Sequence, residues 1–171
     1  PYQATPYNLK VPKGFPPAII PPDNPMSVEG VKLGRHLFYE KALSGDNSMS
    51  CASCHNQQRA FSEGKSVSKG INGVSGRRNA MPLFNLAFQE RIFWDGRSLS
   101  LEEQSLITIQ DPIELDGDLD TLISRLESRS LYRGLFKKAF GDDKITSHRI
   151  AKAIAQFERT LISANSKFDK V

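Results

Sequence analysis

The chain of 171 residues is 39% hydrophobic and 25% charged. This balance fits one folded domain with its own core and excludes disordered and fibrous classes. No apolar run reaches the roughly 18 residues of a membrane helix, so we expect a chain that does not span a membrane. The net charge is +4, but residues 99–120 carry seven acidic and no basic side chains. Because this acidic block separates two basic stretches, a continuous nucleic-acid surface is disfavoured.

The first 26 residues hold eight of the ten prolines. Proline fixes φ and lacks an N–H group, so this composition predicts an extended, polyproline-like arm over residues 1–26. Ser27 is a candidate N-cap for a first helix, whose apolar face should end near Tyr39. The folded domain is therefore predicted to cover residues 27–171.

Residues 44–80 are rich in Gly, Ser and Asn and predict long loops. So long an irregular segment is uncommon in a compact domain unless it is functional. We expect these loops to wrap a ligand that supplies missing apolar core.

The only two cysteines, Cys51 and Cys54, lie in this segment, and His55 follows directly. This C-x-x-C-H spacing is typical of covalent c-type haem. Each thiol adds to one haem vinyl group, and one helical turn presents both sulfurs. The adjacent histidine then supplies the proximal iron ligand, so the sequence predicts one covalent haem c.

Two other uses of the cysteines are disfavoured by the surrounding sequence. A thioredoxin-like disulfide needs a preceding strand, whereas residues 44–50 are a polar loop. A zinc site needs two further ligands, and only His36 and His148 remain. We expect His36 to pack within the first helix and His148 to be exposed.

The C-terminal half carries repeated helix signals and no sustained period-two alternation. Candidate N-caps of three predicted helices are Ser100, Asp118 and Thr146. Glu103 would complete a capping box on the first of these, which should end near Thr108. A further helix is expected over residues 129–140, stopped by Gly141. The last helix has an apolar stripe of Ile150, Ile154, Phe157 and Leu161. The sequence thus predicts an all-α domain.

Several segments in uninterrupted order resemble the bacterial di-haem cytochrome c peroxidases and their tryptophylquinone-forming relatives. These segments are Leu33–Phe38, Leu43–Gly45, Cys51–His55, Arg78–Ala80, Phe93–Arg97, Leu101–Gln104 and Phe157–Leu161. The resemblance runs from about Pro12 to the end. It implies a cytochrome c-like fold and the N-terminal, peroxidatic haem domain of that family. The family's second haem domain is expected to be absent from this chain, which alone would be half of a working enzyme.

The resemblance also implies roles for individual residues. Glu114 matches the acid that moves a proton between the oxygens of hydrogen peroxide, and Gln104 matches the amide beside it. Phe93 matches a distal pocket wall, and Trp94 matches a residue between the two haems. Arg97 is a candidate partner for a haem propionate. From the residues alone, Glu114 and Arg97 could equally be surface charges and Trp94 a core aromatic.

Two further positions carry weaker expectations. Asn79 matches a residue that helps to bind calcium at the domain interface, although calcium wants six or more oxygens. The loop over residues 56–78 has no histidine, which leaves Met81 as a candidate distal ligand. Packing is the commoner role of such a methionine. We therefore expect an open, or readily opened, haem site.

The leading functional prediction is peroxide reduction by a periplasmic, exported domain, because haem c attachment in bacteria takes place outside the cytoplasmic membrane. The expected partners are hydrogen peroxide, a C-terminal haem domain, and a small cytochrome c or cupredoxin donor. Homodimer formation stays open. The alternatives are a mono-haem electron-transfer cytochrome and an oxidase that acts on a protein substrate through Trp94.

Overall fold

The computed structural model describes residues 2–170. Within this range the chain forms helices and isolated β-bridges, with no strand. The six α-helices are α1 (Val28–Phe38), α2 (Cys51–Cys54), α3 (Leu101–Gln110), α4 (Leu119–Glu127), α5 (Ser130–Phe140) and α6 (Ser147–Arg159). Between α2 and α3 the chain contains only two 3₁₀ turns, Gln57–Arg59 and Leu86–Phe88. The prediction of an all-α fold is confirmed.

The helix boundaries follow local capping chemistry. The side chains of Ser27, Asp118 and Thr146 accept backbone N–H groups at the starts of α1, α4 and α6, as predicted. Gly141, with φ of 91°, ends α5 in the left-handed conformation that glycine adopts without strain. The α3 helix extends beyond its predicted end to Gln110.

The predicted capping box on α3 was wrong in one half. Ser100 Oγ accepts a hydrogen bond from Glu103 N at 3.0 Å, as expected. The Glu103 carboxylate, however, accepts from Leu99 N at 2.9 Å and from Ser98 Oγ at 2.7 Å. The Glu103 carboxylate therefore binds the two residues that precede Ser100 and not the backbone N–H of Ser100.

The α6 helix lies between two hydrophobic clusters. Its Ile150 and Ile154 belong to a core formed with α1, α4 and α5, whereas Phe157 belongs to a second cluster around Phe38. Met81 and Cys51 are partly buried against that second cluster. The fold thus fixes the cysteine motif against α1 and α6.

Residues 2–26 contain no helix and pair with the domain through an isolated bridge between Pro6 and Ser27. The segment is also held by buried Asn24, whose Nδ2 donates to Glu102 Oε1 at 2.6 Å. Asn24 Oδ1 accepts from Gln156 Nε2 at 2.8 Å. These bonds connect the segment to both α3 and α6.

Candidate haem site

One cavity of about 450 Å³ lies among the cysteine motif, the loop before Met81, the C-terminal part of α3 and the end of α6. This volume is within the range of small-molecule and cofactor sites. Every candidate site residue named from the sequence lines it: Cys51, Cys54, His55, Asn79, Met81, Phe93, Trp94, Arg97, Gln104 and Glu114. The fold therefore brings together residues that are 63 positions apart at their extremes, from 51 to 114.

The short helix α2 carries both cysteines. Ser50 N donates to Ser53 Oγ at 3.0 Å, and His55 N donates to Cys51 O at 2.9 Å, so the turn is closed at both ends. Burial raises the pKa of Cys51 to about 12 and that of Cys54 to about 11. Both thiols are thus neutral and face the cavity wall.

A redox-active cysteine has a lowered pKa, whereas burial raises the pKa of Cys51 and of Cys54, which disfavours the thioredoxin-like use of the motif. Both cysteines are free. In the described part of the chain, residues 2–170, no three His, Cys, Asp or Glu residues form a metal-binding group. His36 and His148 are both exposed, so the packed position expected for His36 was wrong.

A tight turn orients the imidazole of His55. Ala60 and Phe61 have φ of 55° and 54°, and Phe61 N donates to Asn56 O at 2.9 Å. The turn directs the Phe61 carbonyl to His55 Nδ1, at 2.9 Å. Burial lowers the pKa of His55, so the ring is neutral. With Nδ1–H donating to that carbonyl, Nε2 carries the lone pair that an iron ligand needs.

Gln104 and Thr108 lie one turn apart on the same face of α3. Gln104 Nε2 donates to Thr108 Oγ1 at 3.0 Å. The Thr108 hydroxyl also lies near enough to the Glu114 carboxyl to lower its pKa. Sequence reasoning missed Thr108, although its spacing of four residues from Gln104 is the signal that could have found it.

Glu114 is partly buried rather than a freely solvated surface acid. Its backbone N donates to Asp111 O at 2.9 Å in the turn that follows α3. Burial raises the pKa of Glu114, and the nearby Asp111 charge raises it further. The Thr108 hydroxyl and Arg97 act in the opposite direction and lower it. A carboxyl whose pKa is moved towards neutrality suits proton transfer in both directions.

Trp94 lies at the cavity rim with 58% of its surface exposed, so it is no core aromatic in this chain. Its Nε1 donates to Asn79 O at 3.2 Å. Arg97 stacks on the neighbouring Phe93, with Cζ 3.5 Å from the ring centroid. Arg97 also pairs with Asp95, from Nη1 to Oδ1 at 3.0 Å. The rim is therefore an aromatic and cationic surface.

Met81 lies against the cysteine motif. It packs on the cluster that also contacts Cys51 and Phe61, and its backbone lies near enough to His55 to raise the pKa of that residue. This position beside His55 favours the packing role. The distal-ligand role of Met81 and the calcium role of Asn79 stay predictions.

The residues present fit a c-type haem. The cavity holds two thiols and an imidazole with its Nε2 free, at the sequence spacing that thioether attachment requires. Arg77 and Lys69 add positive charge to the lining, and neither was singled out from the sequence. Cationic side chains of this kind are natural partners for haem propionates.

Comparison with known proteins gives the same assignment. The family model of di-haem cytochrome c peroxidases matches residues 28–171. The chain is 39% identical over 150 residues to the methylamine utilization protein MauG of Methylophilus methylotrophus, an alignment that covers 88% of this chain and 45% of that protein. It is 38% identical over 146 residues to the cytochrome c551 peroxidase of Nitrosomonas europaea, covering 85% of this chain and 44% of that one.

A solved structure agrees. The crystal structure of a MauG-like protein associated with microbial copper homeostasis matches with a TM-score of 0.89 and 37% identity, over 95% of this chain and 49% of the other. The chain thus spans less than half the length of the curated relatives named above. Its sequence and its fold place the chain in the di-haem cytochrome c peroxidase family.

Proposed function

We propose that this chain is the peroxidatic haem domain of a di-haem peroxidase. Cys51 and Cys54 would hold haem c through thioether bonds, and His55 Nε2 would ligate the iron. The bound haem would supply the metal at which hydrogen peroxide takes up two electrons and, with two protons, becomes two waters. The observation that supports this most is the placing of Gln104, Thr108 and the partly buried acid Glu114 in the lining of the same cavity as His55.

In this proposal Glu114 is the general acid–base. Its carboxylate takes a proton from the peroxide oxygen nearer the metal and returns it to the departing oxygen, which leaves as water. Gln104 presents an amide to the same space and would orient the peroxide. A simple electron-transfer cytochrome has no use for such an acid and amide, so their position in the cavity favours peroxidase chemistry.

Trp94 would lie between this domain and the second haem domain. Its exposed ring at the cavity rim is a surface that a covering domain can bury. Electrons would enter from a small cytochrome c or cupredoxin by way of that second domain. The same exposure also favours one other function, oxidation of a protein substrate through Trp94.

Haem propionates would find cationic partners on the rim. Arg97 pairs with Asp95 through Nη1 only, so its other N–H groups can bind a propionate oxygen. Covalent haem attachment supports export to the periplasm. Among residues 2–170 there is no helix with the length and hydrophobicity of a membrane span.

The test is the reaction of the reduced, haem-loaded protein with hydrogen peroxide, followed by stopped-flow absorbance. Glu114→Gln should slow the reaction by about 10²–10⁴-fold, the usual contribution of acid–base catalysis. Glu127→Gln, which removes an exposed carboxylate on α4, should leave the rate unchanged. An unaltered rate in Glu114→Gln would show that Glu114 has no catalytic role.

A further inference from the structure

Glu158, near the end of α6, is a second carboxyl in the cavity wall, and the peroxide chemistry above does not use it. The residue is 3% exposed and lines the cavity together with Cys51. Its Oε2 is the one buried side-chain oxygen or nitrogen without a hydrogen-bond partner among the residues that the structure describes. A buried polar atom left unpaired costs stability, so its presence needs a physical explanation.

The nearest cation does not neutralise Glu158. Adjacent residues on a helix point about 100° apart, and Arg159 faces the other way. Its guanidinium binds Glu102 on α3 through two bonds, Nη1–Oε1 at 2.8 Å and Nη2–Oε2 at 3.0 Å. Its Nε donates to Ile19 O at 3.2 Å. The hydrogen bonds of Arg159 therefore go to α3 and to the N-terminal segment.

The charge of Glu158 interacts with three ionisable side chains. Arg159 lowers its pKa and Glu102 raises it, while the Glu158 charge acts on the Cys51 thiol of α2. Burial outweighs both charges and raises the pKa of Glu158 to about 8. The side chain is therefore a neutral carboxylic acid at pH 7, held where its proton can be lost within the physiological range.

A neutral acid in this position is sensitive to the charge of a haem in the same cavity. Ferric haem carries one more positive charge than ferrous haem. Charges interact strongly in a buried, low-dielectric site. The ferric state consequently favours the Glu158 carboxylate, and the ferrous state favours the protonated acid.

We propose that Glu158 is a redox-linked proton acceptor, whose carboxylate takes up one proton from solvent when the haem takes up one electron and releases it when the haem is oxidised. The proton offsets the charge of the added electron, so the net charge of the haem and Glu158 together is the same in the ferric and ferrous states. Cys51, on the short helix beside Glu158, would join the haem to this wall. Glu158 acts in this proposal through the charge of its carboxyl. Its role is separate from the acid–base role of Glu114.

Spectroelectrochemical titration of the haem-loaded protein, at pH values on both sides of 8, tests this directly. The wild-type midpoint potential should fall with rising pH between the ferric and ferrous pKa values of Glu158. The slope should approach one proton per electron, a tenfold change in equilibrium constant or about 59 mV per pH unit. Glu158→Gln should abolish this slope, whereas Glu114→Gln should keep it.

Reduced-minus-oxidised infrared spectra give a second reading on a chain that keeps Glu158. With carbon-13-labelled glutamate, a label-sensitive carboxylic acid band should be gained on reduction near pH 8, and it should persist in Glu114→Gln, which removes the other glutamate described in the cavity. This reading decides the matter even where Glu158→Gln impairs haem loading. A wild-type slope retained in Glu158→Gln, or no gained band, would overturn the proposal. Neither measurement uses peroxide, so a peroxide-inactive protein would still show proton uptake at Glu158.

Discussion

Thr108 lies beside both polar side chains that we assign to peroxide chemistry. It accepts a hydrogen bond from Gln104, and its hydroxyl is near the Glu114 carboxyl. A hydroxyl close to a carboxylate stabilises the charged form, so Thr108 opposes the rise in the pKa of Glu114 that burial causes. The hydroxyl therefore contributes to how much of Glu114 is ionised at a given pH.

Replacing Thr108 by valine should raise the pKa of Glu114, because the carboxylate loses the nearby hydroxyl that favours its charged form. A polar interaction of about 1 kcal/mol corresponds to a shift of about 0.7 pH unit. Glu114 must be ionised to accept the peroxide proton, so the acid limb of the pH–rate profile should move upwards by that amount. Thr108→Ser keeps the hydroxyl and should restore the wild-type profile. A limb that stays in place in Thr108→Val would contradict this role.

For the individual residues of the site, the sequence alone predicted only part of what the structure shows. The cysteine motif identified the haem attachment residues by spacing, and the resemblance supplied Glu114 and Gln104. Thr108 and Glu158 were missed because their importance lies in what surrounds them. Thr108 bonds to Gln104 and lies near Glu114, and the Oε2 of Glu158 is buried without a hydrogen-bond partner. Neither property is written in a local residue pattern.

The contact between α1 and α6 holds the two core clusters together. A Cβ atom on Gly34 would overlap the Ala153 carbonyl and crowd the Phe157 Cβ. Glycine is needed here for close approach of the two helices, since its φ does not require it. Phe157 and Phe38 meet beside this contact, with ring centroids 5.2 Å apart, and connect it to the cavity wall.

Gly34→Ala should therefore destabilise the protein by about 1–3 kcal/mol, the usual cost of forcing extra volume into a packed interior. The matched control is Gly134→Ala in α5, where a new Cβ meets nothing within 4 Å. That change should stabilise the helix by about 0.5–1 kcal/mol. Denaturant titration of both variants measures the difference. Equal effects at the two positions would show that Gly34 does not set the helix spacing.

Helix starts were predictable because capping is local. Ser27, Asp118 and Thr146 each accept the backbone N–H group three residues ahead. Which groups Glu103 would bind was not predictable, since Ser98 and Leu99 approach it through a turn whose shape the sequence does not specify. Local capping chemistry therefore predicts where the helices begin, whereas the hydrogen bonds in the turns between them depend on turn geometry.

Across the whole molecule, the acidic block over residues 99–120 has several separate uses. Asp118 caps α4, Glu103 binds the residues that precede the cap of α3, Glu102 pairs with Arg159, and Glu114 lines the cavity. The acidic side chains of this block therefore serve helix capping, ion pairing and the lining of the cavity. The composition of the block predicted an interruption of the positive surface but could not distinguish a capping acid from a cavity acid, because that distinction depends on burial.

The cavity draws its lining from segments between positions 49 and 115 and from Glu158 of α6. An open haem site follows if no side chain ligates the iron opposite His55. The optical spectrum of the ferric, haem-loaded protein tests this most directly, recorded before and after addition of hydrogen peroxide without prior reduction. We predict a high-spin spectrum that peroxide changes at once. A low-spin spectrum with a methionine–iron charge-transfer band, unaltered by peroxide, would contradict the open site and with it the peroxidatic function.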